Sequence, residues 1–358
     1  GVNAINSGRK NIVNNGAFQI AQRGTSSTVS GYGSVDRWKS VNNVGVTHTQ
    51  EAITSGDAYD AGFRHAFKLT NTATVDNAAT HYVSCYQYIE AQDLATSGWD
   101  YTDASSYITI SFWIKSSVAG TYYVNPMTED GTKKVYPQSF SLSAATWTKV
   151  EKSYPGHADL TFNNDTGRGM ALHISPFYGT DFTSGVSTSA WSTYASGDRF
   201  PDFAQRWGSA GTGATWEITG VQLELGSVAT NFEHRSYGEE FALCQRYWQQ
   251  SYNDGVVAGT DAEAGLIYGW GAAGTATTGY LFGNGILPVQ MRAQGSMTVY
   301  DYDDPGNSGK VNRDHFGIGG SQNQTAAAQA YINKWLVYSS SGVSANCMIF
   351  HYIIDAEL

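Results

Sequence analysis

Four pairs of neighbouring carboxylates are the residues of this sequence whose type and spacing could support catalysis. Two carboxyl groups that face each other across a sugar can act as the acid and the base of a glycoside hydrolase. The pairs are Glu129 with Asp130, Asp301 with Asp304, Asp261 with Glu263, and Glu239 with Glu240. The first two pairs lie in turn-like sequence, the third in a loop rich in glycine and alanine, and the fourth at a predicted helix start. We therefore expect no catalytic residue and predict that the protein is not an enzyme.

No motif for a nucleophile, a metal or a phosphate group offers another chemistry. The sequence contains no G-x-S-x-G, H-E-x-x-H, Walker or C-x-x-C motif. Its three cysteines, Cys85, Cys244 and Cys347, are widely spaced and odd in number, so they predict no disulfide framework. We expect three buried free thiols, no metal and no cofactor.

Aromatic residues in predicted loops are a positive indication of binding. Sugars present C–H faces that stack on tryptophan and tyrosine, while amide and hydroxyl groups fix the ring oxygens. The candidates are Trp99, Tyr101, Trp191, Tyr194 and Trp207. They predict a glycan-binding surface. The alternative is packing at a core edge or at a trimer interface, because aromatic residues are enriched at protein interfaces as well.

Composition favours an all-β protein of extracellular type. Of 358 residues, 40 are glycine, 13% are aromatic and only 15% are charged, whereas the hydrophobic fraction of 41% suffices for a core. The net charge is −10 and no run of basic residues exceeds two, which argues against nucleic acid as a partner. No apolar run approaches the roughly twenty residues that a membrane span needs. The negative charge favours neutral or mildly polar sugars over a strongly acidic polysaccharide.

Alternation of apolar and polar residues predicts β-strands throughout residues 11–232. Turn signals recur about every 10 to 15 residues, the rhythm of a β-sandwich. Clear strands cover residues 82–89, 107–116 and 216–225. In the last of these the apolar side changes face at Gly220, which predicts a β-bulge. We predict that the first domain is a jelly-roll β-sandwich.

Residues 233–248 predict a connecting segment and one short α-helix. Ser236 and Glu239 have the S-x-x-E spacing of a capping box. An apolar stripe follows at helical spacing, formed by Tyr237, Phe241, Cys244 and Trp248. Because a helix of about three turns is marginal alone, we expect this stripe to be buried. The residues predicted to form a structural hinge are Phe232, His234, Arg235, Ser236, Glu239, Phe241, Cys244 and Trp248.

The domain organisation follows from these patterns. We expect residues 1–10 to be a linker from a missing N-terminal anchor, and residues 11–232 to form the jelly roll. Residues 233–248 connect it to a smaller C-terminal β-sandwich at 249–358. Within that second domain, residues 326–330 have helical propensity in an otherwise strand-like region.

Several segments resemble the carbohydrate-binding-module jelly rolls found on bacterial glycosidases. They contain Phe112-Trp113, then Trp-Thr-Lys-Val at 147–150, then Gln-Leu-Glu at 222–224. The opening Asn-Asn-Gly-Ala-Phe at 14–18 also resembles the Asn-Gly-x-Phe start of such modules. This resemblance implies a jelly-roll fold and sugar binding without catalysis.

A second set of segments resembles structural appendage proteins of marine and other tailed bacteriophages. It comprises residues 11–26, Asp-Arg-Trp at 36–38, residues 220–248, residues 287–293 and residues 350–358. Such proteins are tail fibres, head fibres or other virion structural proteins. This resemblance implies a location on the virion surface, contacts with other virion structural proteins and assembly as a homotrimer.

We therefore expect a virion fibre or spike protein that adheres to a host-surface receptor, and that receptor to be a glycan. Binding would depend on avidity over several weak sites. One alternative is a capsid-mounted fibre or decoration protein with a mainly structural role. The other is a secreted, non-catalytic carbohydrate-binding module.

Overall fold

A computed structural model describes residues 10–74, 77–203, 206–270, 279–304, 306–314, 321–341 and 347–358. Within these ranges the protein is an all-β sandwich protein with four short α-helices. It divides into two compact units. The first unit contains the described residues up to Ile20, Thr25–Glu240 and Leu358, and the second contains Ala21–Gly24 and Phe241–Glu357. The predicted linker at residues 1–10 lies outside the described residues except for Lys10.

The first unit contains fourteen strands and three of the α-helices. The strands are β1 (Ser26–Ser27), β2 (Lys39–Asn42), β3 (Val46–Ala52), β4 (His65–Asn71), β5 (Tyr82–Glu90), β6 (Tyr107–Ser116), β7 (Gly120–Thr128), β8 (Lys134–Val135), β9 (Gln138–Leu142), β10 (Thr148–Pro155), β11 (Arg168–Ser175), β12 (Phe177–Tyr178), β13 (Ser192–Thr193) and β14 (Thr215–Leu225). The helices are α1 (Asp57–Asp60), α2 (Ala91–Ala95) and α3 (Arg206–Ser209), and a 3₁₀ turn covers Thr180–Phe182.

Two antiparallel sheets enclose the core of the first unit. The first sheet has the order β1-β3-β4-β14-β6-β10, and the second has the order β12-β5-β11-β7-β8-β13, with β2 on β5 and β9 on β7. Alternate residues of each strand point into one shared core, as period-2 patterning requires. Phe112 of β6, Val83 of β5 and Trp216 of β14 are all buried there.

The predicted strands at 82–89, 107–116 and 216–225 are confirmed as β5, β6 and β14, each within one residue at its ends. The predicted bulge is confirmed as well. The register between β14 and β6 shifts between Thr219 and Gln222. Gly220 has φ 62° there, and a Cβ on it would lie 2.4 Å from Cζ of Phe63. A residue without a side chain is therefore required at this bulge.

The predicted helix is α4 (Tyr237–Gln245), which is shorter than its apolar stripe. Its capping box is present: Ser236 N and Oγ donate to Glu239 Oε2 at 2.9 and 2.7 Å, and Glu239 N donates to Ser236 Oγ at 3.3 Å. Burial of the whole stripe was a wrong prediction. Tyr237 is 49% exposed and Phe241 is half-buried, whereas Trp248 is buried as predicted but belongs to the following strand. Cys244 is fully buried.

The second unit consists of nine strands in one sheet. They are β15 (Trp248–Gln250), β16 (Ile267–Trp270), β17 (Gly279–Ile286), β18 (Ser296–Asp301), β19 (Lys310–Asp314), β20 (Ser321–Thr325), β21 (Ala327–Ala330), β22 (Lys334–Ser341) and β23 (Cys347–Asp355). Strand β23 pairs with β15 and β16 along one edge and with β18 and β19 along the other. The helical propensity at 326–330 was misleading, because pairing with β22 makes Ala327–Ala330 a strand.

Candidate functional site

The outer face of the second sheet of the first unit carries a row of tyrosines. Strand β5 alternates, so that Val83 and Cys85 enter the core while every second side chain points to the opposite face. The outward side chains are Tyr82, Ser84, Tyr86 and Tyr88. Strand β5 pairs with β2 along one edge and with β11 along the other, where His173 lies opposite Tyr86.

These side chains form the floor of a groove of about 250 Å³, which we call the tyrosine groove. Its lining comprises Val41, Tyr82, Ser84, Tyr86, Tyr88, Met127, Glu129, Lys133, Arg168, His173, Tyr178, Tyr194 and Arg199. The sheet supplies the floor, and the segments that follow β7 and β13 supply Glu129, Lys133, Tyr194 and Arg199. Its volume lies just below the roughly 300–1,000 Å³ typical of small-molecule sites.

A hydrogen-bonded chain fixes the polar groups at one end of the groove. Tyr178 donates its hydroxyl to Ser84 Oγ at 2.6 Å, and Ser84 Oγ lies 3.2 Å from His173 Nδ1. Burial, together with the positive charge of Arg199, lowers the pKa of His173 to about 3. Burial also raises the pKa of Tyr178 to about 12. At neutral pH both rings are therefore uncharged, and they present fixed hydrogen-bonding groups.

Aromatic rings pack closely along the floor. The ring centroids of Tyr86 and His173 lie 4.5 Å apart, and those of Tyr86 and Tyr88 lie 5.0 Å apart. Tyr86 and Tyr88 are each 8% exposed, whereas Tyr82 and Tyr194 are half-buried at the sides. Such a surface can pack against the apolar face of a ring while its hydroxyl groups hydrogen-bond at the edges.

The charged side chains of the groove differ in their partners. Lys133 Nζ lies 2.6 Å from Glu129 Oε2. The guanidinium of Arg168 lies 4.3 Å from the Tyr88 ring, and that of Arg199 lies 5.7 Å from the Tyr194 ring. Within the described part of the chain, neither arginine forms a salt bridge. Arg199 Nε donates to the carbonyl of Ser196 at 2.9 Å. The groove therefore combines aromatic faces with two guanidinium groups, and that of Arg199 can bind an acceptor oxygen through its Nη atoms.

A second groove lies on the outer face of the first sheet. It has a volume of about 380 Å³ and is lined by Ala61, Phe63, Ser111, Phe112, Trp113, Lys149, Gly220, Thr230, Asn231, Phe232 and His234. We call it the Trp113 groove. The rings of Phe232 and His234 lie 4.9 Å apart, and both pack against Phe63. Its polar lining side chains are Ser111, Lys149, Thr230, Asn231 and His234, fewer than in the tyrosine groove.

The five loop aromatic residues predicted to bind glycan differ in their burial. Trp99, Trp191 and Trp207 are buried, with 3%, 7% and 1% of their surface exposed. Trp191 Nε1 donates to the carbonyl of Pro155 at 2.8 Å, as an interior indole does. Tyr101 is half-buried and packs against Phe162 with ring centroids 5.0 Å apart. Of the five, Tyr194 lines the tyrosine groove.

Sequence reasoning missed the floor of the groove, although the signal was present. The alternation of β5 already placed Tyr82, Tyr86 and Tyr88 on one face, opposite the apolar set. An aromatic row on the polar face of a strand is not needed for the core of a two-layer sandwich. That feature could have pointed to this candidate groove, whereas the loop positions of Trp99, Trp191 and Trp207 did not indicate that their side chains are buried.

Carboxylates of the first two pairs accept structural hydrogen bonds. Asp130 accepts from the backbone and side-chain nitrogens of Asn163 at 2.9 and 2.8 Å. Asp301 is fully buried and accepts from the Asp303 amide at 2.9 Å. Among the described residues, no cluster of three or more His, Cys, Asp and Glu side chains could hold a metal. All three cysteines are buried, as expected.

Arg235 is the centre of the contacts made by the first part of the predicted hinge. Its Nη2 lies 2.8 Å from Glu233 Oε2, and its Nη1 lies 3.4 Å from Glu240 Oε2. Glu233 also accepts from the amides of Lys10 and Asn11 at 3.0 and 2.8 Å, and these hydrogen bonds, with Arg235, lower its pKa despite opposing desolvation. These residues anchor the start of the first unit, whereas the side chain of His234 is exposed.

Comparisons with known proteins give a likeness of fold. No protein-family model matches the chain, and no curated protein matches it. Solved structures that resemble it include a candidate sugar-binding protein from Bacteroides thetaiotaomicron, at 14% identity and a TM-score of 0.35, over 61% of this chain and 100% of that one. A CBM4 structure matches at 14% identity and a TM-score of 0.30, over 60% of this chain and 99% of that one. The CBM22-1 xylan-binding domain of Paenibacillus barcinonensis Xyn10C matches at 14% identity and a TM-score of 0.27, over 62% of this chain and 100% of that one. Scores this low carry no inference about a ligand of this chain.

No helix among the described residues is long and apolar enough to cross a membrane.

Proposed function

We propose that the protein is a non-catalytic glycan-binding protein and that the tyrosine groove is its binding site. The observation that carries the proposal is the row of Tyr82, Tyr86 and Tyr88 on the outer face of β5, flanked by fixed polar groups. Sugars need both elements, because their C–H faces stack on aromatic rings while their hydroxyl groups need directed partners.

We propose further that this binding attaches a virion fibre or spike to a host-surface glycan. The virion location, the contacts with other virion proteins and the homotrimer rest on the sequence resemblance to phage appendage proteins. A groove of about 250 Å³ favours weak individual binding, so attachment would depend on several copies acting together. Antibodies raised against this chain should label fibres on particles that carry its gene, and label on the capsid surface alone would favour the structural alternative.

The test of the binding site compares two grooves in one protein. We expect Tyr194→Ala and Tyr88→Ala to lose binding on a glycan array, because they remove a wall and part of the floor of the tyrosine groove. Trp113→Ala, which alters the other groove, should bind like the parent. Thermal melting of each variant verifies folding, and Tyr194 is half-buried, so its truncation is tolerated best.

Two results would contradict this assignment. Loss of binding in Trp113→Ala alone would move the site to the Trp113 groove. Absence of binding by the parent protein to any glycan, and to host cells, would remove the proposed function altogether.

A further inference from the structure

We infer that the glycan bound in the tyrosine groove carries acidic groups; this inference rests on the proposed function and names the class of its ligand. Arg168 and Arg199 both line the groove, and neither forms a salt bridge in the described part of the chain. A guanidinium group that faces a binding groove without a carboxylate is suited to a carboxylate or sulfate of the ligand, which it can bind through two parallel hydrogen bonds.

The charge of the groove is opposite to that of the protein. Among the lining residues the cations are Lys133, Arg168 and Arg199, and the carboxylate is Glu129, so the lining carries a net charge of +2 (three minus one). Since Lys133 and Glu129 lie 2.6 Å apart, their charges offset each other and the excess rests on the two arginines. The whole chain carries −10. Two positive groups in a groove of an otherwise acidic protein indicate that the groove selects a negatively charged ligand.

The net charge of the chain does not forbid an acidic ligand. Exposed charges more than about 8–10 Å away are largely screened at physiological salt, whereas groups in a groove act at contact distance. Our sequence-based preference for neutral sugars used the total charge and therefore ignored where the charges lie. The positions of Arg168 and Arg199 reverse that preference.

The two arginines contact different side chains of the floor. The guanidinium of Arg168 lies 4.3 Å from the Tyr88 ring, while Arg199 lies near His173, which pairs with Tyr86. The two guanidinium groups therefore offer an acidic glycan separate points of contact.

Binding should be measured by isothermal titration calorimetry with polygalacturonate, alginate and hyaluronan, each beside its methyl-esterified form. Esterification removes the charge and keeps the sugar backbone. Dextran sulfate beside dextran distinguishes sulfate from carboxylate. We expect at least one acidic polymer to bind about tenfold more tightly than its neutral form, the effect of one charge-assisted hydrogen bond or more.

Variants locate the effect. Arg168→Ala and Arg199→Ala should each weaken binding of the acidic polymer about tenfold and change binding of its neutral form little. Arg64→Ala is the matched control, because its guanidinium stacks on Tyr59 at 3.8 Å, much as Arg168 stacks on Tyr88, but lies outside the tyrosine groove. Arg64→Ala should bind like the parent.

The outcomes separate this inference from the proposed function. If neutral glycans bind in the groove and are lost in Tyr194→Ala, while no acidic polymer binds more tightly than its ester, the inference is wrong and the proposed function stands. If acidic binding is reduced equally by Arg64→Ala, it is unspecific attraction and the inference is again wrong. If no glycan of either kind binds, both fail.

Discussion

The guanidinium carbon of Arg168 lies 4.3 Å from the centroid of the Tyr88 ring. Arg168 is exposed at the start of β11, while Tyr88 is mostly buried in the floor of the tyrosine groove. This distance is that of a cation–π contact, and in the described part of the chain Arg168 forms no salt bridge that would engage its N–H donors.

Removing this arginine should change stability very little. We expect Arg168→Ala to lower the free energy of unfolding by less than about 1 kcal/mol, the range of exposed cation–π contacts. Chemical denaturation measures the change, and Arg64→Ala provides the reference for a similar pair elsewhere. A loss of several kcal/mol would mean that Arg168 supports the fold, and its effect on binding would then not report a direct contact.

His173 predicts a dependence of stability on acid. Burial and then Arg199 lower its folded-state pKa to about 3, below the unfolded value of 6.5. The unfolded state therefore binds the proton first, so stability present above pH 6.5 is lost as the pH falls from 6.5 towards 3. One such group contributes a slope approaching about 1.4 kcal/mol per pH unit.

The measurement is urea denaturation at several pH values between 7 and 4. His173→Gln should flatten the decline, because the variant has no proton to gain there. His157→Gln, whose side chain is 41% exposed in the parent, should keep the parental slope. Identical slopes in all three proteins would show that His173 does not titrate in this way.

Gly220 should tolerate no side chain. In Gly220→Ala the new Cβ would meet the Phe63 ring at 2.4 Å, and the positive φ adds backbone strain. We expect a loss of roughly 2–5 kcal/mol, from about 1–2 for the left-handed backbone and about 1–3 for overpacking. Gly213→Ala, also at positive φ but with nothing within 4 Å, should lose the backbone part alone. Equal losses in the two variants would contradict the role of Phe63.

Assembly should involve an aromatic face of the second unit. Trp270 pairs with Phe282, which pairs with Tyr338, and these neighbours are 55%, 48% and 39% exposed. A contiguous apolar face of this kind is typical of an interface between proteins. Light scattering should give about three times the chain mass of 38.7 kDa, and Trp270→Ser with Tyr338→Ser should lower it. A monomer at micromolar concentration would contradict the homotrimer.

Local sequence patterns sufficed to predict the strands, because side chains that alternate along β5, β6 and β14 reveal which face is buried. They also located the bulge at Gly220 and the cap at Ser236. Local patterns did not predict the burial of Trp99, Trp191 and Trp207, since burial of a loop side chain depends on where the loop crosses the sheet. Trp248 was misplaced because helical spacing continues past the residue where α4 ends.

The candidate site could not be predicted from local patterns, because it depends on the pairing of strands that are distant in sequence. Tyr86, His173 and Arg199 converge only when β5 and β11 are neighbours, and no local pattern specifies that neighbour. The total charge was also a poor guide, because it averages over surfaces that a ligand never meets.

The position of β23 has a consequence for synthesis of the chain. Translation proceeds from the N-terminus, so all fourteen strands of the first unit exist once Leu225 has left the ribosome. The second unit, by contrast, lacks the strand that joins β15, β16, β18 and β19 until Asp355 has been added. Until then its growing segments have edges without their partner, and unpaired edges promote association between nascent chains. Neighbouring ribosomes on one message would therefore bring such edges together before either second unit has folded.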